Sequence, residues 1–138
     1  MYQSFNLSHQ DAAQIITFIQ AELERQNKGA AVAVVDAHGE LLAFLRTDGC
    51  PLASINIAIN KAFSASRERK ESAQLGQSAR QDDFPLLYYG DIRYVGWGGG
   101  LPIVYAGQIV GGVGVSGLSE DEDIMLARLG LKAFSAPG

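Results

Sequence analysis

WGGGLPIVYAGQIVGGVGVSG, residues 97–117, is the stretch that decides the fold of this chain. It predicts two short strands, over 101–105 and 108–115, joined by a tight turn at Ala106-Gly107. Glycine weakens a strand and is usually kept where the backbone needs a positive φ or where another group approaches closely. We therefore expect a neighbouring element or a ligand to lie against this segment, which we call the glycine ribbon.

Outward from the glycine ribbon, the chain shows helical and strand patterns in turn. Apolar residues at helical spacing and terminal capping residues predict helices over 8–26, 52–69 and 72–80 and from 119 onward. Apolar, partly β-branched runs predict strands over 30–36, 40–47 and 92–96, ahead of the two in the ribbon. The predicted order is α-β-β-α-α-β-β-β-α, an α+β fold in a single domain spanning residues 1–138.

Composition excludes several classes of function. The 138 residues carry a net charge of −4 with a pI near 5.0, whereas a nucleic-acid-binding surface needs a basic stripe. Cys50 is the only cysteine, so neither an intrachain disulfide nor a cysteine-based zinc site can form. Neither a signal-peptide pattern nor a long apolar span is present. We expect a cytoplasmic protein that binds neither nucleic acid nor membrane.

An aromatic segment precedes the triple glycine and predicts a ligand site. Aromatic side chains beside an arginine suit a flat or carboxylated ligand, because a guanidinium binds a carboxylate with two hydrogen bonds. Strand alternation over 93–97 would place Arg93 and Trp97 on one face and Tyr94 on the other. The predicted ligand-binding residues are Arg93, Trp97, Gly98, Gly99, Gly100, Tyr94 and Arg46. The competing interpretation is that the aromatics fill the core or an oligomer interface and the glycines allow close packing.

No arrangement of side chains predicts catalysis. Residues 112–117 match G-x-G-x-x-G, but the chain that follows is too short for the second strand and acid of a dinucleotide site. A closely packed strand end is the better interpretation. Cys50 has no base that the sequence places near it. His9 and His38 lack the spacing of a metal site, and His38 alone is kept as a candidate, because a haem iron needs only one imidazole.

Apolar residues on two faces of a helix predict a homo-oligomer. In the second helix Ile57 lies opposite the apolar stripe, and in the last helix Met125, Leu126 and Leu129 form a second face. One face can cover the sheet, and a contiguous apolar patch left on the other usually marks an interface.

Several of these segments together resemble one known family. VVDAHG at 34–39, RTDG at 46–49, PLASINIAINKAF at 51–63 and the glycine ribbon from Gly98 are similar to the GlcG/HbpS family, which includes the C-terminal domain of PduO-type proteins. The resemblance extends from the first helix to Leu131. Its most specific part is the triple glycine followed by Pro102, Gly107 and residues 111–117.

The resemblance implies a profilin-like domain with an antiparallel sheet of about five strands flanked by helices. It also implies a small-molecule binding protein, with haem or a related tetrapyrrole as the leading ligand, in a catabolic or redox-response context. In PduO-type relatives a histidine of the first helix is linked to haem iron, but His9 here does not match that position. Two alternatives are an enzyme acting on a small hydroxy- or oxo-acid near Trp97 and a ligand-free assembly subunit.

Overall fold

The computed structural model describes residues 1–135 as four helices around one sheet. The helices are α1 His9–Gln26, α2 Ser54–Glu68, α3 Ser72–Gln81 and α4 Glu120–Ser135. The strands are β1 Ala31–Asp36, β2 Leu41–Arg46, β3 Gly100–Tyr105 and β4 Gln108–Ser116. A short 3-10 helix, Leu86–Tyr89, lies between α3 and β3. The predicted α+β class is confirmed.

The described residues form one antiparallel sheet in the order β2-β1-β4-β3. It has four strands, so the predicted fifth strand over 92–96 is wrong. Side chains hold the backbone N–H groups that a strand ladder would use: Asp91 Oδ1 accepts from the Arg93 N–H at 2.9 Å, and Ser64 Oγ accepts from the Val95 N–H at 2.9 Å. Such local bonds compete with a ladder and leave the segment as a loop.

The glycine ribbon forms the predicted hairpin of β3 and β4. Its two-residue turn has φ 51° at Ala106 and 76° at Gly107. Two successive positive φ angles are the geometry that matches the twist of the flanking strands. Because β4 pairs with β1 on its other side, this hairpin supplies half of the sheet.

The two faces of the sheet differ in the size of their side chains. One face meets α1 and α4 through larger residues such as Val32, Val113 and Ile103, which contact Ile15 and Ile19 in one cluster. The other face meets α2 and is built from small residues, where Ala33 pairs with Gly114 and Gly114 with Gly100. A row of small residues across three strands lets a helix approach its sheet closely.

The closeness of α2 explains the glycines of the ribbon. A Cβ added at Gly114 would lie 2.2 Å from the Ala58 carbonyl oxygen, and one added at Gly112 would lie 2.5 Å from that of Ala62. The interpretation of residues 112–117 as a closely packed strand end is therefore confirmed.

Helix α2 is covered on more than one side. Lys61 and Ser64, which the apolar pattern assigns to the side opposite the stripe, are buried, and Ile57 is only half-buried. Ser64 bonds to the loop at Val95, so residues 91–100 cover this side. The second face of α2 is therefore covered largely by the chain itself.

Candidate functional site

The triple glycine lies buried where α2, α3 and α4 meet the start of β3. The Gly100 N–H donates to Ser72 Oγ at 2.9 Å, and the Gly98 N–H donates to the Glu120 carboxylate at 2.7 Å. A Cβ added at Gly100 would lie 2.2 Å from the Lys61 carbonyl oxygen. The chain's own atoms therefore occupy the space beside these glycines, and two of their backbone donors already have partners. A ligand contact at Gly98, Gly99 and Gly100 stays a prediction.

Lys61 and Asp123 form a buried ion pair next to this segment. The Lys61 ammonium lies 3.2 Å from Asp123 Oδ2 and donates to the Val115 carbonyl at 2.8 Å, and the two residues are 1% and 3% exposed. Burial lowers the pKa of Lys61 and raises that of Asp123, and their mutual attraction opposes both shifts. A Cβ on Gly99 would lie 3.0 Å from the ammonium, so the absent side chain leaves room for this pair.

Trp97 is the most exposed of the predicted site residues that the loop carries. Its side chain is 65% exposed, while its backbone carbonyl accepts a 2.6 Å hydrogen bond from Ser72 Oγ. An open groove of about 260 Å³ adjoins it, lined by Arg80, Gly96, Trp97 and Glu120. A Cβ on Gly76 of α3 would lie 1.9 Å from the Gly96 carbonyl, so the loop is pressed against that helix. The indole is thus presented to solvent from a fixed backbone.

Arg93, which strand alternation pairs with Trp97, does not line the groove beside Trp97. Its guanidinium lies 4.0 Å from the centre of the Phe63 ring and bonds to both carboxylate oxygens of Asp91 and to Glu40. The hydrogen bond from Arg93 lowers the pKa of Asp91 to about 2, and the same pairing raises the pKa of Arg93. Two carboxylates and an aromatic face already satisfy this cation, so a ligand carboxylate would have to displace them.

Tyr94 packs inside the aromatic cluster and does not line the groove at Trp97. Its ring stacks on Tyr89 at 4.8 Å and meets Phe63 edge-on at 5.1 Å, and its hydroxyl donates to Glu68 at 3.0 Å. Burial, with the hydrogen bond to Glu68, raises the pKa of Tyr94 to about 12. For this residue the core-filling interpretation agrees with the contacts.

Replacing Tyr94 by phenylalanine is expected to make the free energy of unfolding depend less on pH at high pH. Folding raises the pKa of this phenol from 10.0 to about 12. The phenol therefore stabilises the folded state fully below the pKa that it has in the unfolded chain. This stabilisation is lost as the pH rises through the pKa that it has in the folded protein. The free energy of unfolding in urea, measured from about pH 9 to about pH 12, should fall less steeply in Tyr94→Phe. The control is Tyr2→Phe, since Tyr2 is 90% exposed. Parallel curves for wild type and Tyr94→Phe would contradict the shift.

Neither Arg46 nor either histidine lines the groove beside Trp97. Arg46, the last residue of β2, lines a different groove together with residues of α1. His38 lies exposed in the β1–β2 turn, where its backbone carbonyl accepts from Arg67 at 2.9 Å. Among residues 1–135, no group of three or more His, Cys, Asp or Glu side chains could hold a metal ion. His38 as a metal ligand stays a prediction.

Cys50 shows no sign of thiolate activation. Burial raises its pKa, an effect that the charge of Arg46 partly offsets, and its thiol contacts the Pro51 carbonyl oxygen at 3.2 Å. A reactive cysteine needs a lowered pKa. The position beside the start of α2 therefore does not make this thiol a nucleophile.

Sequence reasoning missed Arg80 and Lys61. Arg80, in the last turn of α3, lies at the Trp97 groove where Arg93 or Arg46 was expected. No local pattern marks Arg80, because α3 and the loop meet only through tertiary packing. For Lys61 the sequence did carry a signal. Ala58, Ala62 and Ala65 flank this lysine on the same helix, and so many small apolar residues are unusual on a helix face that is exposed to solvent.

Comparison with known proteins places this architecture in one family. The family model described as "Haem degrading protein HbpS-like" matches residues 7–132. The chain belongs to the HbpS-like family. Protein GlcG of Escherichia coli strain K12 is 34% identical to this HbpS-like chain over 110 residues, which cover 80% of the chain and 81% of GlcG. The resemblance to the GlcG/HbpS family is thus confirmed.

Solved structures share the fold closely. Klebsiella pneumoniae protein ORFY superposes on the HbpS-like chain with a TM-score of 0.92 at 28% identity, covering 100% of this chain and 97% of ORFY. A structure described as a PduOC:Heme complex superposes with a TM-score of 0.84 at 26% identity, covering 93% and 94% of the two chains. Within residues 1–135, no helix is both long and apolar enough to cross a membrane.

Proposed function

We propose that this HbpS-like chain binds haem or a related tetrapyrrole at the groove beside Trp97. The exposed indole next to Arg80 carries the proposal. A tetrapyrrole is a flat apolar ring with carboxylate side chains, so it matches a flat aromatic surface beside a guanidinium. The family description and the haem complex of a protein with the same fold support this choice of ligand.

The residues at this groove fit the ring and the carboxylates but not the iron. The indole of Trp97 offers a flat face, and the charge of Arg80 suits a propionate. Neither of the chain's two histidines lines the groove. The segment that leads to Trp97 also carries four other exposed apolar or aromatic side chains: Phe84, Leu87, Tyr88 and Ile92. Binding should therefore depend on the ring and not on coordination of the metal.

Haemin and metal-free protoporphyrin are expected to bind with affinities within about threefold of each other, because the proposed contacts do not involve iron. Trp97 is the only tryptophan in the chain, so quenching of its fluorescence reports porphyrin binding from a single position. The measurement is a titration of the protein with each porphyrin. Binding of haemin alone would show that a metal ligand dominates and would overturn the proposed site.

Substitutions locate the site within the molecule. Trp97→Ala and Arg80→Gln should each weaken porphyrin binding about tenfold or more. Binding is measured by Soret absorbance, because Trp97→Ala removes the fluorescent reporter. Arg46→Gln is the matched control, since Arg46 is also an exposed arginine but lies in another groove. His38→Ala should change the affinity little. Unchanged binding by folded Trp97→Ala, or loss of binding in His38→Ala alone, would place the ligand elsewhere.

A further inference from the structure

The groove beside Trp97 holds two opposite charges that do not neutralise each other. Arg80 lies in the last turn of α3 and Glu120 begins α4, and both side chains line the groove. Within residues 1–135, neither of them takes part in a salt bridge. The guanidinium of Arg80 is therefore available to a ligand carboxylate, while the carboxylate of Glu120 keeps a negative charge in the same groove.

The carboxylate of Glu120 is held in place by the triple glycine. Its Oε2 accepts the Gly98 N–H at 2.7 Å, and a Cβ added at Gly98 would lie 3.0 Å from Glu120 Cγ. The glycine thus leaves the room that this side chain occupies. The positive end of the α4 dipole stabilises a negative charge at this position. A ligand in the groove therefore meets an anion that cannot rotate away without losing a hydrogen bond.

Two charges of opposite sign make the groove sensitive to where a ligand carries its carboxylates. A carboxylate that reaches Arg80 gains charge-assisted hydrogen bonds, whereas one that lies beside Glu120 meets a like charge. The groove is open to solvent, so this repulsion is moderate and is screened by salt. A ring edge without carboxylates avoids the repulsion altogether.

We infer that Glu120 is a specificity-determining residue, which restricts the groove to tetrapyrroles whose carboxylates lie on one edge of the ring. The inference rests on the proposed porphyrin site. Haem and protoporphyrin carry their two propionates on neighbouring pyrroles, so Arg80 can bind that edge while an edge without carboxylates lies beside Glu120. Coproporphyrin carries a propionate on each of its four pyrroles, so it brings a carboxylate towards Glu120 however the ring is turned.

Glu120→Gln separates the charge of this residue from its structural role. Glutamine keeps an oxygen acceptor for the Gly98 N–H but removes the negative charge. If Glu120 only holds the glycine loop, the substitution should affect every porphyrin alike. Asp121→Asn is the matched control, because Asp121 lies in the same helical turn, is exposed and does not line the groove.

The measurement is the Kd of coproporphyrin divided by the Kd of protoporphyrin, both without metal. Each Kd comes from quenching of Trp97, which wild type and both variants retain. Wild type should bind protoporphyrin at least about tenfold more tightly than coproporphyrin. Glu120→Gln should lower this ratio about fivefold through tighter binding of coproporphyrin, and Asp121→Asn should change it less than about twofold. Circular dichroism confirms that each variant folds.

The outcomes distinguish this inference from the proposed function on which it rests. A ratio that falls in Glu120→Gln and not in Asp121→Asn supports the role of Glu120. An unchanged ratio in folded Glu120→Gln, or an equal fall in both variants, would overturn that role and leave the porphyrin site standing. If neither porphyrin binds to wild type, the proposed function fails and the inference fails with it.

Discussion

Replacing Lys61 by methionine is expected to lower the free energy of unfolding by about 3–5 kcal/mol, the usual effect of removing one partner of a buried ion pair. The change leaves the carboxylate of Asp123, which is 3% exposed, without its cation. It also removes the 2.8 Å hydrogen bond to the Val115 carbonyl. The measurement is urea unfolding monitored by circular dichroism.

The size of the effect reflects the three elements that Lys61 connects. Its ammonium joins α2 to β4 through Val115 and to α4 through Asp123. Asp123 in turn accepts the Leu118 N–H at 3.1 Å, which holds the turn between β4 and α4. Loss of the cation therefore weakens packing beneath the triple glycine as well as one charge pair.

A second variant separates the unpaired charge from the lost packing. Adding Asp123→Asn to Lys61→Met removes the buried negative charge but keeps an oxygen acceptor for Leu118. The double variant should recover about 1–3 kcal/mol relative to the single one, a coupling typical of residues in contact. The control is Lys70→Met, since Lys70 is exposed, and its effect should stay within about 0.5 kcal/mol. A single-variant loss no larger than that of the control would show that the pair contributes nothing.

Replacing Gly114 by alanine is expected to destabilise the fold by about 3 kcal/mol or more, which is the upper end of the range of destabilisation found when a side chain is enlarged in a packed core. The new Cβ would lie 2.2 Å from the Ala58 carbonyl oxygen and 2.7 Å from the Ala62 nitrogen. Both are backbone atoms of α2, so no side chain can rotate away. To restore ordinary contact the helix would have to move by about 1 Å, which a close-packed interior resists.

Gly107→Ala is the matched control for Gly114→Ala. Gly107 has a φ of +76° and no atom within 4 Å of an added Cβ, so alanine there costs only backbone strain, about 1–2 kcal/mol. Gly114 is not among the residues with positive φ, so its cost comes from the clash. Denaturant midpoints of the two variants make the comparison. A Gly114→Ala protein at least as stable as Gly107→Ala would show that α2 can shift away from the sheet.

The sequence by itself determined the elements whose causes are local. The tight turn at Ala106-Gly107 appears as predicted, and the helices predicted from residues 8 and 119 are capped by Ser8 with Asp11 and by Ser119. Each depends on residues within four positions of one another, so its physics is readable along the chain. The quoted motifs also identified the family correctly.

Tertiary structure alone decided how the candidate site is assembled. The loop over 91–97 is not a strand, because Ser64 and Asp91 side chains bind its backbone. Besides its neighbour Asp91, Arg93 binds Glu40, 53 residues away, and Lys61 is buried against Asp123, 62 residues away. Such partners meet only when α2, the loop and α4 pack around the sheet. The free energy of a charged side chain depends on those partners and on burial, so periodicity could not assign its role.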